Sequence, residues 1–492
     1  MSELPAGWVI EKLVNITERI TKGSTPTSYG FKFQDHGIPF VKIENIRNGI
    51  INHSSIKCFI SEKANENQKR SILEERDILF SIAGTLGVIC IVKNEDIPAN
   101  TNQALAVIRG THKFLHPDFL RYQLESNVSK EQINRQARGG GMNNLSLSDV
   151  RNMDVLIPPH NEQCRIVAKL EKLLQKVDAC KEWLDKIPAI LKRFRQSVLA
   201  AACSGRLTAY WRDKNLDVEP ATELLKRIQS ERKKAKKQLV KNRNILQEES
   251  FDIPDSWAFC FFEDIAANKP NSLKAGPFGS SLTKSCYVPS GYKIYGQEQV
   301  IRGDHSYGDY YIDEEKFLAL KTCEVQAGDI LVSLVGTIGK VLIIPDIFEK
   351  GIINPRLIKI TLLEEVSRKY IARFLSSTLA MNTLSKGSHG GTMDILNMRM
   401  LKNLPIPLPP IDEQEEIVRR VEALFKIADQ IEERYKKART YVDKLTQSIL
   451  VKAFRGELVP QDPNDEAASE LLKRIQKEKD KQTKKREKKV KK

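Results

Sequence analysis

Few residues of this 492-residue chain have the type and spacing that catalysis requires. Asn354-Pro355-Arg356-Leu357 begins like the Asn-Pro-Pro-aromatic motif of adenine methyltransferases, but Arg356 replaces the second proline and no Gly-rich cofactor loop follows a strand nearby. Asp255 with Glu314-Glu315-Lys316 has the spacing of a nuclease motif, although such short matches are frequent by chance. No G-x-x-x-x-G-K-[ST], G-x-S-x-G or H-E-x-x-H motif occurs. The residues therefore predict no catalytic site.

Polar loops carry instead Lys, Arg, Asn, Gln and Ser, which suit base edges and phosphates. Gly-Thr-Leu-Gly at 84–87 and Gly-Thr-Ile-Gly at 336–339 either cradle a phosphate or join two strands. The glycine clusters at 139–141 and 390–391 would let backbone approach a duplex closely. For any single residue, a solvated surface loop is the alternative. The predicted DNA contacts are Lys22, Ser24, Thr25, Lys42, Asn45, Arg47, Thr85, Arg138, Asn143, Asn144, Lys274, Phe278, Ser280, Ser281, Lys284, Gln297, Gln299, Arg302, Thr337, Lys340, Lys386 and His389.

The stretches around these loops predict a mixed fold with short strands. The apolar β-rich runs are 38–43, 78–82, 88–92, 330–335 and 341–344. Turn residues separate them, and a helical pattern precedes each glycine cluster, near 117–126 and 366–375. Because strands and helices do not alternate regularly, the predicted fold class is α+β, with two mixed globular domains in tandem.

A long helix with one apolar seam occurs twice, at the constant offset of 251 residues that separates Gln163 from Gln414. Each copy opens with a double proline followed by Glu-Gln and closes on a glycine, Gly205 or Gly456. An apolar repeat averaging about 3.5 residues over about five heptads is typical of a coiled coil. The seam residues are Ile166, Leu170, Leu173, Val177, Leu184, Leu191, Phe194 and Val198 in the first copy, and Ile417, Val421, Leu424, Ile431, Tyr435, Val442, Leu445 and Ile449 in the second.

The ends of both copies agree with a long helix. Asn161 and Asp412 stand where N-cap residues are expected, and a glycine follows each predicted helix. About 40 residues at 1.5 Å each form a rod of roughly 60 Å, which Pro188 should kink in the first copy. Two unrelated helices would not share an offset, a seam and both ends. We therefore predict an antiparallel coiled coil with pseudo-two-fold symmetry.

The duplication extends over the whole chain. Trp8 matches Trp257, and Glu-Leu-Leu-Lys-Arg-Ile-Gln occurs at 223–229 and again at 470–476, whereas the loops between matched segments diverge. The predicted boundaries are a first globular domain at 1–157, a long helix at 158–207, a basic linker at 208–250, a second globular domain at 251–408, a long helix at 409–458 and a basic tail at 459–492.

Composition narrows the classes of function. Of the net charge of +16, residues 223–243 carry +7 and residues 470–492 carry +8, so the globular parts are close to neutral. The two basic segments either attract phosphates non-specifically or form solvated helical tails. The sequence has no run of 18 apolar residues, no secretion signal and no cysteine–histidine cluster at zinc spacing. We expect a cytoplasmic chain with reduced thiols, no metal and no membrane partner.

The repeated double proline, Glu-Gln and long helix resemble a known family. The first copy ends in Arg193-Phe194-Arg195-Gln196-Ser197-Val198-Leu199, and the second ends in Gln447-Ser448-Ile449-Leu450-Val451-Lys452-Ala453-Phe454-Arg455-Gly456. They are similar to the two central regions of the specificity subunit of type I restriction-modification enzymes, most nearly in its enteric branch. The Gly-Thr-Leu/Ile-Gly turns and Pro277-Phe278-Gly279-Ser280 are similar to the family's target-recognition domains. The likeness covers nearly the whole chain.

The resemblance implies that each globular domain is a target-recognition domain reading one half of a bipartite, asymmetric site on double-stranded DNA. It implies that the paired helices set the spacer between the halves and dock two methyltransferase subunits, which methylate an adenine in each half. Two motor-nuclease subunits would join for restriction. S-adenosylmethionine, ATP and Mg²⁺ would be used by these partners, and the chain itself would bind no cofactor and hold no catalytic residue.

Two other functions stay open on the residues alone. A coiled-coil scaffold with two protein-binding globular ends would bind its partner independently of salt and would have no sequence-specific affinity for DNA. A nuclease with an unrecognised site would lose activity when a carboxylate such as Asp255 or Glu315 is replaced.

Overall fold

The computed structural model describes residues 4–47, 49–110, 115–137, 144–234, 252–278, 281–334, 340–386 and 396–477. The chain divides into two compact units. Unit 1 comprises Met1–Asp185 and Lys436–Lys492, and unit 2 comprises Lys186–Tyr435. Within the described ranges, no helix is long and apolar enough to cross a membrane.

The globular part of unit 1 is built from short elements. In chain order they are β1 Val9–Lys12, α1 Leu13–Ile16, β2 Arg19–Lys22, β3 Ile38–Val41, β4 Ile46–Arg47, β5 Ile50–Ile51, β6 Phe59–Ile60, α2 Glu62–Asn67, β7 Ile78–Ser81, β8 Ile89–Ile91, β9 Asn100–Thr101, β10 Leu105–Arg109, α3 Pro117–Glu125, α4 Asn127–Ala137, α5 Leu147–Arg151 and β11 Asp154–Ile157.

An antiparallel sheet in the order β2-β10-β7-β8 forms the centre of this part. A second sheet, β6-β3-β9, contains one parallel pair, between β3 and β9. Because side chains alternate along a strand, β7 supplies two cores: Ile78 and Phe80 pack in one, and Leu79 packs in the other. β1 pairs with β11, the strand that leads into the first long helix.

The remaining elements follow β11 in chain order. They are α6 His160–Cys203, α7 Ala209–Lys214, α8 Ala221–Lys234, β12 Ala258–Cys260, α9 Phe262–Ile265, β13 Leu273–Ala275, β14 Tyr292–Tyr295, α10 Gln297–Arg302, β15 Tyr311–Ile312, α11 Glu314–Ala319, β16 Ile330–Ser333, β17 Val341–Ile343, β18 Gly351–Ile353, β19 Leu357–Ile360, α12 Arg368–Leu375, α13 Thr378–Lys386, α14 Met398–Lys402, β20 Ile406–Leu408 and α15 Ile411–Phe454.

The globular part of unit 2 has the same internal connections. Its central sheet has the order β13-β19-β16-β17, and its second sheet, β15-β14-β18, again has one parallel pair, between β14 and β18. β12 pairs with β20, which leads into the second long helix. The predicted α+β class is confirmed in both units, with strands in the predicted β-rich runs and helices before both glycine clusters.

The two long helices, α6 and α15, each have 44 residues, and α6 continues through Pro188. The expected N-caps are wrong by two positions: α6 begins at His160 and the backbone N–H of Gln163 bonds to the carbonyl of Pro159, at 3.0 Å, so Asn161 lies inside the first turn. Asp412 likewise lies inside α15. The C-terminal glycines are confirmed, since Gly205 has a φ of 75° and Gly456 a φ of 74°.

The predicted seam is mostly the inward face of these helices. The buried members are Ile166, Leu170, Val177, Leu191, Val198, Ile417, Val421 and Ile449, and the half-buried members are Leu173, Leu184, Phe194, Leu424, Tyr435, Val442 and Leu445. Ile431 departs from the prediction, because it is 42 % exposed. Near it the helix instead buries Ala428 and half-buries Glu432, which pairs with Arg195.

Polar contacts join the two long helices inside each unit. In unit 1, Arg439 forms an ion pair with Asp185, and Lys181 Nζ donates to Thr446 Oγ1 at 3.4 Å. In unit 2, Arg195 Nη2 bonds Asp429 Oδ1 at 2.7 Å and Glu432 Oε2 at 2.8 Å. Such solvent-accessible pairs contribute about 0–1 kcal/mol each, so most of the stabilisation comes from the apolar seam.

The start of α6 is fixed to the globular part of unit 1 by two side chains. Trp8 Nε1 donates to buried Glu162 Oε2 at 3.0 Å. Gln163 connects the helix to two backbone groups of the globular part. Its Oε1 accepts from the backbone N–H of His116 at 2.8 Å, and its Nε2 donates to the carbonyl of Pro158 at 2.9 Å. The Glu-Gln pair that marks each repeat is therefore the joint between helix and domain.

The start of α15 repeats this joint with an addition. Trp257 Nε1 donates to Glu413 Oε2 at 2.8 Å. Glu413 Oε1 also accepts from Thr208 Oγ1 at 2.6 Å and pairs with Arg212. In unit 1, no described residue donates to Glu162 Oε1, and burial raises the pKa of Glu162 despite the hydrogen bond from Trp8.

The segment after each long helix packs against the turn that precedes Trp8 or Trp257. In unit 2, the N–H of Ala221 bonds to the carbonyl of Ser256 at 3.0 Å, and α8 packs into the core. In unit 1, the N–H of Ala468 bonds to the carbonyl of Gly7 at 3.0 Å, and Leu471 and Ile475 pack into the core. The chain's last described segment thus completes the core of its first domain.

The two joints predict opposite responses to matched substitutions. In Glu162→Gln, we expect unit 1 to be as stable as the wild type at pH 8, or more so, because the amide keeps the bond from Trp8 and removes a poorly compensated buried charge. In Glu413→Gln, we expect unit 2 to lose about 1–3 kcal/mol, because Arg212 loses its carboxylate. Urea unfolding, with hydrogen exchange to assign each transition to its unit, measures both.

The pH dependence of the stability of unit 1 gives a second test of the role of Glu162. Since the folded pKa of Glu162 is raised above its ordinary value of 4.5, its contribution to stability is present below about pH 4.5 and is lost as the pH rises through the folded value. Glu162→Gln should remove this loss and flatten the stability profile of unit 1. Equal losses of stability in Glu162→Gln and Glu413→Gln would contradict the inference.

Truncation tests the role of the C-terminal segment. A chain that ends at Gly456 loses Leu471 and Ile475 from the core and the ion pair of Asp465 with Arg165. We expect unit 1 to lose about 3–6 kcal/mol, the value for two buried aliphatic side chains, with unit 2 unaffected. The control chain ends at Lys477, lacks only the Lys-rich residues beyond it, and should keep wild-type protection in hydrogen exchange. Destabilisation by the control truncation as well would contradict the assignment.

Candidate nucleic-acid interface

In unit 1, the end of β2 meets the turn between β9 and β10. A Cβ at Gly23 would lie 1.8 Å from the carbonyl oxygen of Thr101, so only glycine permits this approach of two backbone segments. Thr25 then donates to Gln103 Oε1 at 2.7 Å. Asn102 shapes the turn, because its Oδ1 accepts from the N–H of Ala104 at 3.0 Å.

The β7–β8 turn and the segment after the first glycine cluster reach the same edge. The N–H of Ile82 bonds to the carbonyl of Ala104 at 2.8 Å, which places the end of β7 beside the β9–β10 turn. Ala83 pairs with Asn144, and the N–H of Leu145 bonds to the carbonyl of Ile82 at 2.8 Å. Three turns and one returning segment therefore converge.

The Gly-Thr-Leu-Gly stretch at 84–87 is a tight turn between two strands, one of its two predicted roles. Buried Ser81 fixes it: Ser81 Oγ donates to the carbonyl of Thr85 at 2.5 Å and accepts from the N–H of Val88 at 2.8 Å. Thr85 itself is exposed, so it remains available to a ligand at this edge.

In unit 2, the ends of the corresponding strands β13 and β16 also meet the segment before β19. A Cβ at Gly276 would lie 1.9 Å from the carbonyl oxygen of Asn354. Asn354 Oδ1 accepts from the N–H of Arg356 at 2.9 Å, and the carbonyl of Arg356 accepts from the N–H of Leu334 at 3.0 Å. Asn354, Arg356 and Leu334 form the same bonds as Asn102, Ala104 and Ile82 in unit 1, each at an offset of 252 residues.

We call these two clusters turn edge 1 and turn edge 2. Turn edge 1 consists of Gly23, Ser24, Thr25, Ala83, Gly84, Thr85, Asn102, Gln103, Ala104 and Asn144. Turn edge 2 consists of Gly276, Pro277, Phe278, Gln297, Ser333, Asn354, Pro355 and Arg356. Each belongs to one unit, and each joins residues that are far apart in the chain.

The turn edges bring together only some of the predicted DNA contacts. Those within them are Ser24, Thr25, Thr85, Asn144, Phe278 and Gln297. Lys22 and Lys274 are half-buried on β2 and β13, and Arg47, Ser281, Lys284, Arg302 and Lys340 are exposed on other segments. Lys42 packs elsewhere, with Nζ 3.1 Å from Cys58 Sγ and 5.2 Å from the ring centre of Phe33.

Two predicted contacts have structural roles instead. Asn45 is buried, its Oδ1 accepts from the N–H of Lys42 at 2.8 Å, and its Nδ2 donates to the carbonyl of Ser55 at 2.8 Å. Gln299 is buried in the same manner, between the N–H of Gly296 and the carbonyl of Tyr307. These amides hold the loops after β3 and β14, which removes them from the set of side chains that can reach a base.

Some predicted contacts lie outside the described residues. They are Arg138, Asn143, Ser280, Thr337 and His389, together with the side chain of Lys386.

The prediction missed the turn that organises each edge. Asn102 and Gln103 in unit 1, and Asn354 and Arg356 in unit 2, were not among the predicted contacts. A signal was present in the sequence, because the offset of 252 residues that matches Asp77 to Asp329 also matches Asn102 to Asn354.

The side chains at the two edges differ in what they can recognise. Turn edge 1 offers amides and hydroxyls, which match adenine N6/N7 and phosphate oxygens. Turn edge 2 adds the guanidinium of Arg356 and the ring of Phe278, which is 80 % exposed. An exposed aromatic ring fits a thymine methyl or the face of an unstacked base.

The carboxylates of the globular parts have structural partners or lie apart. Buried Asp77 receives two bonds from Arg109, at 2.8 and 2.6 Å, and buried Asp329 accepts from Thr361 Oγ1 at 2.5 Å. Asp255, the nuclease candidate, is exposed. Within the described ranges, no three His, Cys, Asp or Glu side chains are grouped to hold a metal ion.

Comparisons with known proteins agree on one family. The type I restriction modification DNA specificity domain matches residues 5–189 and 282–438. The chain is 28 % identical to the type I restriction enzyme EcoKI specificity subunit of Escherichia coli strain K12, over 93 % of this chain and 91 % of that one. It is 30 % identical to the EcoBI specificity subunit of Escherichia coli, over 90 % and 84 %.

Solved structures share the fold. The HsdS subunit from Thermoanaerobacter tengcongensis superposes with a TM-score of 0.57 at 19 % identity, covering 92 % of this chain and 98 % of its own. A chain from a type I restriction-modification complex superposes with a TM-score of 0.66 at 19 % identity, covering 93 % of this chain and all of its own.

The structural role of the buried loop amides is open to a direct test. In Asn45→Ala, two backbone groups lose their partners, and we expect the free energy of unfolding of unit 1 to fall by about 1–3 kcal/mol. The matched control is Arg47→Ala, at an exposed residue of the adjacent strand β4, which should change the free energy of unfolding by less than about 0.5 kcal/mol. Urea unfolding measures both variants. An Asn45→Ala protein as stable as the control would return Asn45 to the candidate contacts.

Proposed function

Because the chain belongs to the type I restriction-modification DNA specificity family, we propose that each of its globular domains reads one half of a bipartite, asymmetric DNA site. Specificity subunits of this family are non-catalytic DNA-recognition subunits. One observation carries the proposal: the two turn edges share their backbone bonds, yet they present different side chains. Such a pair suits the reading of two unlike half-sites by one framework.

The proposed domains follow the repeats of the sequence. Residues 1–157 and 251–408 are the two target-recognition domains, 158–207 and 409–458 are spacer helices, and 208–250 and 459–492 are basic linker and tail. The joints of Glu162 and Glu413 at the ends of β11 and β20 support the boundary between each domain and its helix.

We propose that the spacer helices pair as an antiparallel coiled coil with pseudo-two-fold symmetry. The order of contacts in unit 1 supports this pairing: Lys181 meets Thr446, and Asp185, further along α6, meets Arg439, which is earlier in α15. Coiled-coil helices also bury an apolar seam, as most of the predicted residues do here.

In the proposed complex, the helix pair sets the spacer between the half-sites and docks two adenine methyltransferase subunits, and two motor-nuclease subunits join through them. S-adenosylmethionine, ATP and Mg²⁺ belong to these partners. Because adenine methylation requires the base to leave the stack, the turn edges hold the duplex while the methyltransferase flips its target. A chain with this DNA partner acts in the cytoplasm.

Exposed aromatic residues on the helices favour a protein partner. Trp183 on α6 is 73 % exposed and Tyr441 on α15 is 69 % exposed, and both residue types are enriched at protein interfaces. These side chains fit the docking of methyltransferase subunits. They equally fit the second candidate function, a coiled-coil scaffold with two protein-binding globular ends, which predicts no sequence-specific methylation.

Methylation sequencing separates these functions. The chain and its cognate methyltransferase subunit are expressed in a methylation-free host, and genomic DNA is sequenced by a single-molecule method that detects methyladenine. We expect a motif of two unlike halves around a fixed gap, absent when this chain is omitted. Co-purifying, well-expressed subunits that leave no methylated motif would refute the proposal and favour the scaffold.

The length of the helices gives a second, finer prediction. Seven residues inserted between Asp185 and Lys186, and seven between Tyr435 and Lys436, keep the heptad register and lengthen each helix by about 10 Å. We expect the methylated motif to gain about three base pairs of spacer, at 3.4 Å each, with both half-sites unchanged. The control inserts the seven residues in α6 alone, which should abolish methylation. A longer helix pair with an unaltered spacer would contradict the role of the helices.

A further inference from the structure

The two turn edges differ most sharply at one equivalent position. In turn edge 1, this position is Ala104, and in turn edge 2 it is Arg356. Both N–H groups are bound by an asparagine Oδ1, at 3.0 and 2.9 Å, and both carbonyls accept from the strand that ends beside them, at 2.8 and 3.0 Å. The same backbone turn thus presents a methyl group in one unit and a guanidinium in the other.

The guanidinium of Arg356 contacts one neighbouring side chain, and most of its hydrogen-bond donors are not used within the described part of the protein. Gln297 Nε2 is fixed by a hydrogen bond to buried Ser333 Oγ at 2.8 Å, and Gln297 Oε1 lies 3.5 Å from Arg356 Nη1. At that distance the bond is weak. Within the described ranges, Arg356 is exposed and this is the one polar contact of its guanidinium, so most of its five donors remain available.

We propose that Arg356 is a specificity-determining residue that reads a guanine in the half-site of the second domain, with Gln297 and Asn354 as positioning residues. The proposal rests on the proposed DNA-reading function. Two parallel N–H donors of a guanidinium match the O6 and N7 acceptors of guanine in the major groove, whereas adenine presents a donor, N6, at the place of O6. Ala104 offers no donor, so the first domain should not use this position for guanine.

A backbone contact is the competing role for an exposed arginine. Loss of a phosphate contact weakens binding to all sequences equally and leaves the base preference intact. Loss of a base contact changes the preference at one position. Lysine separates the roles as well, because it keeps the charge for a phosphate but lacks the planar pair of donors for guanine.

The test compares wild type, Arg356→Ala, Arg356→Lys and Gln297→Ala, each in complex with the methyltransferase subunit. Methylation sequencing defines the wild-type motif, and competition binding then uses duplexes with single base pairs changed in either half. In both Arg356 variants, we expect the preference for guanine at one position of one half-site to fall by about tenfold, within the range for a bidentate pair. Gln297→Ala should lower the same preference by less.

Internal controls keep folding and function apart. The other half-site must keep its preferences in every variant, which reports an intact complex. Arg399→Ala, at an exposed arginine of α14 that belongs to neither turn edge, should leave the guanine preference unchanged.

The assignment is overturned if neither half-site loses a guanine preference in Arg356→Ala or if neither half-site contains a guanine. It is also overturned if binding to every duplex weakens equally. A wild-type complex that methylates no bipartite motif overturns the proposed function and, with it, this assignment. An intact motif in both wild type and Arg356→Ala overturns the assignment alone.

Discussion

The structure depends on a buried hydrogen bond between a tryptophan and a glutamate at the start of each long helix. Trp8 bonds Glu162 in unit 1, and Trp257 bonds Glu413 in unit 2. The following glutamine ties the helix to a backbone N–H of the globular part. Because these groups are buried, leaving any of them unpaired costs about 1–3 kcal/mol, so helix and domain are held at one angle. The proposed spacer role of the helices depends on that joint.

The two joints have diverged where the chain between repeats differs in length. The offset between Glu223 and Glu470 is 247 residues, four less than the offset of the helices, so the first linker is longer. It contains α7, which brings Arg212 to Glu413. In unit 1, the described residues between α15 and Ala468 form no helix. Arg165 pairs with Asp465 nearby, and this bond lowers the pKa of Asp465. Glu162 thereby keeps a buried oxygen without a donor among the described residues, and its pKa is raised.

The globular parts of the two units share a backbone framework and differ in the side chains that it carries. The frameworks agree in strand order, in the single parallel pair and in the asparagine-bound turn at each edge. These bonds use the backbone N–H and carbonyl of the residue in the turn, so the same turn forms around Ala104 in one unit and around Arg356 in the other. A protein built this way changes what it recognises while the joints and the helices stay as they are. That separation supports the proposal that the duplicated domains read two unlike half-sites.

The duplication, the two long helices with their seam and terminal glycines, and the α+β class could be predicted from the sequence, because periodicity and turn chemistry are properties of neighbouring residues. Which loops meet could not be predicted in this way. Gly23, Asn102 and Asn144 become neighbours through the pairing of β2, β10 and β7, and no local pattern encodes that pairing. The same long-range packing buries Asn45 and Gln299 and leaves Ile431 and Arg356 exposed.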